Sequence, residues 1–223
     1  MPVSANRILA SLKQEEFALL EPHLEHVDLP VRTNLEIRGK RIDAVYFIES
    51  GFASVVAEGT SKPGIEVGII GREGMTGIEI VLGGDRAPHA TYIQLPGRGQ
   101  RMNIVHLREA DAQIPSFHRA MLGYVREFLA QTTATALANG RSKIDERLAR
   151  WLLMAHDRVD GDELRLTHAF LSLMLGSHRP GVTLALQVLE DAGLIARRRG
   201  KIQILDRSGL EKRSNGSYVP AEG

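Results

Sequence analysis

The spacing of apolar residues divides the chain into three regions of different character. Residues 4–24 carry apolar side chains at roughly helical intervals, which predicts one or two short helices. Between about residues 27 and 108, short runs rich in Val, Ile, Tyr and Phe alternate with glycines. From about residue 116 the glycines become rare and the helical period returns. This order predicts an α+β fold in which helices flank a central β-rich region.

The β-rich region predicts a small antiparallel β-roll of the jelly-roll type. Its strands are "AVYFIES", "FASVVAE", "IEVGII" and "ATYIQLP". Glycine and proline between these runs predict turns, among them Gly51, residues 62–64 and Pro96-Gly97. No internal repeat interrupts the pattern.

One long helix is predicted over residues 116–139, and it carries two apolar stripes rather than one. A helix that covers its own domain needs one stripe, so the second stripe predicts a helix that pairs two copies of the chain. Burial of both stripes within one monomer is the alternative. The predicted dimer interface comprises Phe117, Met121, Tyr124, Val125, Phe128, Leu129 and Thr132.

The C-terminal region contains two helices separated by a tight turn. Thr167 is a candidate N-cap, and Gly176 fits the left-handed position just past a helix end. Pro180 is tolerated in the first turn of the second helix. An earlier helix, "SKIDERLARWLLMAHDRV", is predicted to place Lys143, Glu146 and Arg150 on its outer face. The arrangement matches a helix-turn-helix.

The second helix is followed by a basic hairpin. Val182, Ala185, Leu186 and Leu189 have inward spacing, which leaves the opposite face exposed, and "LIARRRGKIQIL" predicts two strands around Arg199-Gly200. A helix with an arginine in its first turn and a basic wing beside it predict DNA binding. The predicted contact residues are Thr167, His168, Ser177, His178, Arg179, Thr183, Gln187, Arg197, Arg198, Arg199 and Lys201.

Charge and composition narrow the function further. The formal net charge is +1, yet residues 164–213 hold nine Lys and Arg against four Asp and Glu, which is typical of a nucleic-acid contact surface. The chain has no cysteine, which excludes disulfides, thiolate metal sites and a cysteine nucleophile. No signal-peptide core is recognisable, so a cytoplasmic protein is expected. The eight histidines show no metal-binding spacing, so neither a metal nor a cofactor is predicted; a haem bound through a histidine stays an alternative.

Residues 166–206, "LTHAFLSLMLGSHRPGVTLALQVLEDAGLIARRRGKIQILD", resemble the C-terminal winged helix of the Crp/Fnr family of bacterial transcription regulators. "GKRIDAVYFIESGFASVVAE" is similar to the family's cyclic-nucleotide-binding-like β-roll, with Gly51 at an inter-strand turn, and "GREGMTG" to the start of its ligand segment. The resemblance implies a homodimer that binds a two-fold symmetric DNA site, with RNA polymerase and a small-molecule effector as further expected partners.

Two positions depart from the family pattern. The Arg-Ser pair that holds the cyclic phosphate in cyclic-AMP-binding members falls here near His89-Ala90, so cyclic AMP is not expected to bind. The resemblance implies an effector pocket at Gly77, Glu79, Arg86 and His89. Pro180 and Leu184 replace polar residues of many members' recognition helices, so the preferred DNA sequence should differ.

The resulting domain organisation is an effector-binding-like β-roll with N-terminal helices at 1–115, a dimerisation helix and linker at 116–140, a winged helix-turn-helix at 141–213 and a flexible tail at 214–223. Sequence-specific transcription regulation is the favoured function, without enzymatic activity, since no nucleophile, base and orienting group share a known spacing. The alternative is a ligand-binding module whose winged helix serves protein interaction.

Overall fold

The computed structural model describes residues 4–59 and 64–220. They form two compact units, the first made of residues 4–56 and 69–129 and the second of residues 57–59, 64–68 and 130–220. Residues 62 and 63 of the turn predicted at 62–64 lie outside the described residues. Within the described ranges, no helix has both the length and the apolar character needed to cross a membrane.

The first unit begins with the short helices α1 (Arg7–Ala10) and α2 (Gln14–Leu20) and a 3-10 turn at Glu21–His23, as the apolar spacing predicts. An antiparallel sheet follows, and its described strands run in the order β1-β5-β3-β4, with β2 also pairing with β5. The strands are β1 (Leu24–Leu29), β2 (Asn34–Glu36), β3 (Ala44–Ala57), β4 (Ile65–Ile70) and β5 (Ala90–Asn103), with helix α3 (Ile78–Val81) before β5 and α4 (Ile104–Gln113) after it.

The turns predicted at Gly51 and at Pro96-Gly97 are wrong. Both glycines lie inside long strands, β3 and β5, at a place where the pairing register shifts. Gly51 has φ +71°, and a Cβ there would lie 2.4 Å from the carbonyl oxygen of Leu95. A Cβ on Gly97 would lie 2.0 Å from the carbonyl oxygen of Ser50. The glycines therefore permit a bulge with close backbone contact rather than a chain reversal.

Helix α5 (Pro115–Arg141) is the long helix that the sequence predicts. Its first part belongs to the first unit, where Phe117, Met121 and Tyr124 are buried. The Phe117 ring lies 6.1 Å from the ring of Phe47 in β3. These three residues were expected at a dimer interface, and the structure instead places them in the core of their own unit.

The second unit contains the end of α5 and a helical bundle with a small sheet. Its helices are α6 (Ile144–His156), α7 (His168–Met174), α8 (Arg179–Asp191) and α9 (Arg207–Arg213). The described strands β6 (Glu163–Leu164), β7 (Ile195–Arg198) and β8 (Lys201–Ile204) form an antiparallel sheet in the order β6-β8-β7. Leu148, Leu152, Leu171, Leu186 and Leu210 lie at the centre of this unit, all fully buried.

Arg150 lies in the interior of the second unit, where the sequence predicted an exposed side chain. It is 6% exposed, because the chain after α9 packs over α6. Its Nε donates to the carbonyl oxygen of Ser217 at 2.9 Å. Tyr218 donates from its hydroxyl to Asp157 at 2.7 Å, so the segment from residue 214 to 218 is packed, in contrast to the flexible tail expected from 214.

Candidate DNA interface and effector cavity

The turn between α7 and α8 has the geometry that the sequence predicts. Thr167 caps α7 by accepting a hydrogen bond from the backbone N–H of Phe170 at 3.2 Å. Gly176 follows α7 with φ +54°, a conformation that disfavours residues with a Cβ. His178 stands at the N-cap position of α8 without a side-chain capping bond, and Pro180 lies in the first turn.

Helix α8 buries one face and exposes the other. Val182, Ala185, Leu186 and Leu189 are all buried, as the spacing predicts. Arg179 and Thr183 are exposed on the other side, and the isobutyl group of Leu184 is 65% exposed beside them. The first turns of α8 thus present a guanidinium, a hydroxyl and an apolar side chain together.

The hairpin β7–β8 forms the predicted wing, and Gly200 at its turn has φ +72°. Arg198 and Arg199 are exposed at its tip. Arg165 directly follows β6 and was missed from sequence, because the pairing of β6 with β8 brings this part of the chain to the wing. Its Nε lies 3.8 Å from Glu163 Oε1, and its side chain is 75% exposed.

Arg197, although part of the same basic run, is engaged within the protein. Its Nε donates to Glu190 Oε2 at 2.7 Å, and its backbone N–H donates to Glu190 Oε1 at 2.9 Å. Its Nη2 also donates to Gln187 Oε1 at 2.5 Å, while Gln187 Nε2 donates to Asp191 Oδ1 at 2.6 Å. The hydrogen bonds from Arg197 lower the pKa of Glu190. The network joins the wing to the end of α8.

The remaining predicted contact residues lie around this surface, and they differ in their exposure and in their hydrogen bonds to other protein groups. Lys201 donates from Nζ to Glu163 Oε2 at 2.9 Å, and this hydrogen bond lowers the pKa of the Glu163 carboxyl. His168 Nδ1 lies 3.3 Å from Thr183 Oγ1, which links α7 to α8. Ser177 is half-buried, whereas His178 is exposed.

A cavity of about 380 Å³, counting its open mouth, lies in the first unit. Gly77, Glu79 and His89 line it, together with Glu36 and Phe128. Arg86, which was expected with them, is exposed and donates from Nη1 to the carbonyl oxygen of Gly39 at 2.9 Å. Among the lining residues in the described part of the chain, His89 is the basic one and two are carboxylates.

Glu36 is the cavity residue that the sequence pattern did not reveal. Its carboxylate accepts hydrogen bonds from the backbone N–H of Gly77 at 2.9 Å and from the Thr91 hydroxyl at 2.5 Å. Burial, reinforced by the nearby charge of Glu79, raises the pKa of Glu36 despite these two bonds. The cavity is therefore an environment that disfavours further negative charge.

A second face of α5, next to the buried stripe, carries exposed leucines. Leu122 is 39% exposed and Leu129 is 65% exposed, with Val125 half-buried between them. Phe128 and Thr132, which were also expected at an interface, are half-buried. Phe128 lines the cavity, so its side chain contributes to the interior of the first unit.

Residues 146–213 match the model of the Crp-like helix-turn-helix domain. This range contains α7, α8 and both wing strands. A comparison with curated protein sequences finds no match.

Solved structures match nearly the whole chain at low sequence identity. A protein described as a Crp/Fnr-family transcriptional regulator from Eubacterium rectale ATCC 33656 is 17% identical, with 95% of this chain and 99% of that chain covered and a TM-score of 0.69. FixK2 from Bradyrhizobium japonicum is 16% identical, with 89% and 99% covered and a TM-score of 0.73. TTHB099, a Crp-family transcriptional regulator from Thermus thermophilus, is 18% identical, with 88% and 100% covered and a TM-score of 0.71. Residues 146–213 are thus a Crp-like helix-turn-helix domain, in a chain with the fold of Crp/Fnr-family transcriptional regulators.

Proposed function

We propose that the protein is a homodimeric, sequence-specific DNA-binding transcription regulator. The observation that carries the proposal is the exposed face of α8, where Arg179, Thr183 and Leu184 follow a helix-turn-helix turn beside a basic wing. In the known docking geometry of this motif, the N-terminal residues of the second helix contact base edges in the major groove.

The exposed residues divide into base readers and phosphate binders. Arg179 has the length and the planar donor pair for guanine O6 and N7, and Leu184 offers an apolar contact for a thymine methyl group. Arg198 and Arg199, at the wing tip, have the position for phosphate contacts, to which Arg165 adds a third exposed guanidinium. Under the alternative of a protein-docking winged helix, these exposed cations have no comparable role.

The homodimer rests on the apolar face of α5 formed by Leu122, Val125 and Leu129. Exposed leucines one and two turns apart on a long helix are the pattern of a helix-pairing seam. A dimer carries two copies of α8 and therefore matches a two-fold symmetric DNA site, with the half-sites one helical turn of DNA apart.

The cavity in the first unit is the candidate effector site, with Gly77, Glu79 and His89 among its lining residues. A buried cyclic phosphate requires a fixed cation or several backbone donors. Here Glu36 and Glu79 oppose an anion, and Pro88 removes one backbone donor. A neutral or cationic effector fits this lining better than cyclic AMP does. RNA polymerase stays a predicted partner.

Selection of bound duplexes from a random-sequence pool tests the proposal. The full-length protein should enrich one motif, and Arg179→Ala should weaken that enrichment. Arg108, exposed on α4, provides the matched control, since Arg108→Ala leaves the proposed DNA surface intact. Retention of the pool without enrichment of any motif would contradict sequence-specific binding.

A further inference from the structure

A second cavity lies entirely within the second unit and contains two arginines. It is a small cavity that opens to solvent, and Glu66, Arg147, Arg150, Trp151 and Leu175 are among its lining residues. Neither arginine belongs to the DNA surface described above. The lining carries two guanidinium groups and one carboxylate.

The carboxylate in this cavity is already engaged by a neighbour. Glu66 is buried, and its Oε1 accepts a hydrogen bond from the indole Nε1 of Trp151 at 2.5 Å. One carboxylate cannot neutralise two guanidinium groups. Among the lining residues, cationic groups therefore outnumber anionic groups by one, with Arg150 buried and Arg147 half-buried. Partial burial of such groups costs free energy unless an anion or hydrogen-bond acceptor compensates it.

The backbone carbonyl oxygens that contact the two guanidinium groups do not use all of their N–H donors. Arg150 uses Nε for the carbonyl oxygen of Ser217 and Nη2 for that of Gln131, at 2.9 Å and 3.1 Å. Arg147 uses Nη2 for the carbonyl oxygen of Leu175, whereas its Nε is buried without a hydrogen-bond partner in the described part of the chain. A buried N–H group in a native protein normally has a hydrogen-bond acceptor.

Desolvation of both arginines agrees with this geometry. Burial lowers the pKa of Arg147, and burial lowers the pKa of Arg150 to about 10; the charge of Glu66 opposes this second shift and the charge of Arg158 adds to it. An anion in the cavity would offset that cost, and the planar fork of arginine matches the oxygen spacing of a tetrahedral oxyanion.

We propose that this cavity is a binding site for a small inorganic oxyanion of the size of phosphate, held by Arg147 and Arg150. The site is separate from the effector cavity of the first unit. It lies next to the helix-turn-helix turn, since Arg147 also donates to Leu175, the residue before Gly176. An oxyanion bound there therefore accepts hydrogen bonds from the guanidinium of Arg147, which also donates to the carbonyl oxygen of Leu175 at the end of α7.

Trp151 makes the site directly observable, because it is the only tryptophan of the chain. Sodium phosphate is titrated into the full-length protein at neutral pH, with sodium chloride at equal ionic strength as the reference. The proposal predicts a saturable change in tryptophan emission with phosphate, half-complete at millimolar concentration or below. A change that follows ionic strength equally in both salts would overturn it.

Two variants locate the effect. Arg147→Met should raise the Kd for phosphate at least about tenfold, because it removes the charged donors, whereas Arg108→Met should leave the Kd unchanged. Circular dichroism checks that each variant is folded. If Arg147→Met is unfolded, Arg147→Lys replaces it and should raise the Kd severalfold, since lysine lacks the fork; an unchanged Kd in the folded variant contradicts the site. Because no DNA is present, the result is independent of the proposed regulatory function.

Discussion

Glu190 at the end of α8 binds Arg197 at the start of the wing through both carboxylate oxygens, one accepting from the guanidinium and the other from the backbone N–H. The side chain of Arg197 is only 23% exposed. A guanidinium held this way is a positioning group, which fixes the wing against the recognition helix. Under the proposed function, the wing's phosphate contacts are therefore expected from its exposed arginines.

Arg197→Ala should therefore weaken DNA binding without changing the number of phosphate contacts. The plot of log affinity against log salt concentration should keep the wild-type slope, because that slope counts neutralised phosphates. Fluorescence anisotropy over a salt series measures it. Glu190→Gln serves as the companion variant, since it weakens the same network from the acidic side and should leave the slope unaltered too. A slope reduced by about one for Arg197→Ala would assign this residue to the DNA backbone instead.

Arg179 and the wing tip should differ in what they contribute to DNA binding. Arg179→Ala should cost ~1–3 kcal/mol of binding free energy and relax the base preference at one position per half-site. Arg198→Ala and Arg199→Ala should weaken all sequences about equally and reduce the salt slope by about one each. Competition between the preferred duplex and random DNA separates the two effects. The assignment fails if the wing variants alter base preference while Arg179→Ala does not.

The leucine face of α5 gives a prediction about oligomeric state. The double variant Leu122→Glu/Leu129→Glu should be monomeric in dilute solution, because it places charges in a helix-pairing seam. Sedimentation velocity measures this, and affinity for a two-half-site duplex should fall in parallel. Val105, exposed on α4, supplies the control Val105→Glu, which should remain dimeric. An unchanged sedimentation coefficient in the double variant would rule out this face.

Glu36 gives a prediction about pH. Its folded-state pKa is raised by burial, so the folded protein binds a proton more readily than the unfolded chain, and the charged carboxylate lowers stability as pH rises through that folded pKa. Glu36→Gln should raise Tm at neutral and alkaline pH. The gain should shrink as pH falls through the raised folded-state pKa and should be absent below the unfolded value of about 4.3. A gain that is equal at all pH values would show that charge is not the cause.

The period of apolar residues predicted most of the second unit, because local packing decides it. Val182, Ala185, Leu186 and Leu189 are buried as their spacing requires, and Gly176 takes the positive φ that its place after a helix suggested. Arg150 could not be predicted this way. Its burial depends on residues 214–218, more than sixty positions later.

The cavity of the first unit shows the same limit on what the sequence could predict. Glu36 and Thr91 meet because β2 pairs with β5, a relationship between distant segments that no local pattern records. Gly51 has the sequence signature of a turn residue, since a bulge and a turn both require a residue without a Cβ. The strand continues because β3 and β5 pair again beyond the bulge, from Ala53 with Ile93 to Val56 with Ala90, in a register shifted by one residue.

A hydroxyl-radical footprint of the full-length protein on the motif enriched from a random pool tests whether a symmetric dimer binds DNA. Two protected half-sites in inverted orientation are expected, with centres about 10–11 base pairs apart, because each half-site should receive one copy of α8 from a two-fold symmetric dimer. A single asymmetric protected segment, or two half-sites in direct repeat, would contradict it.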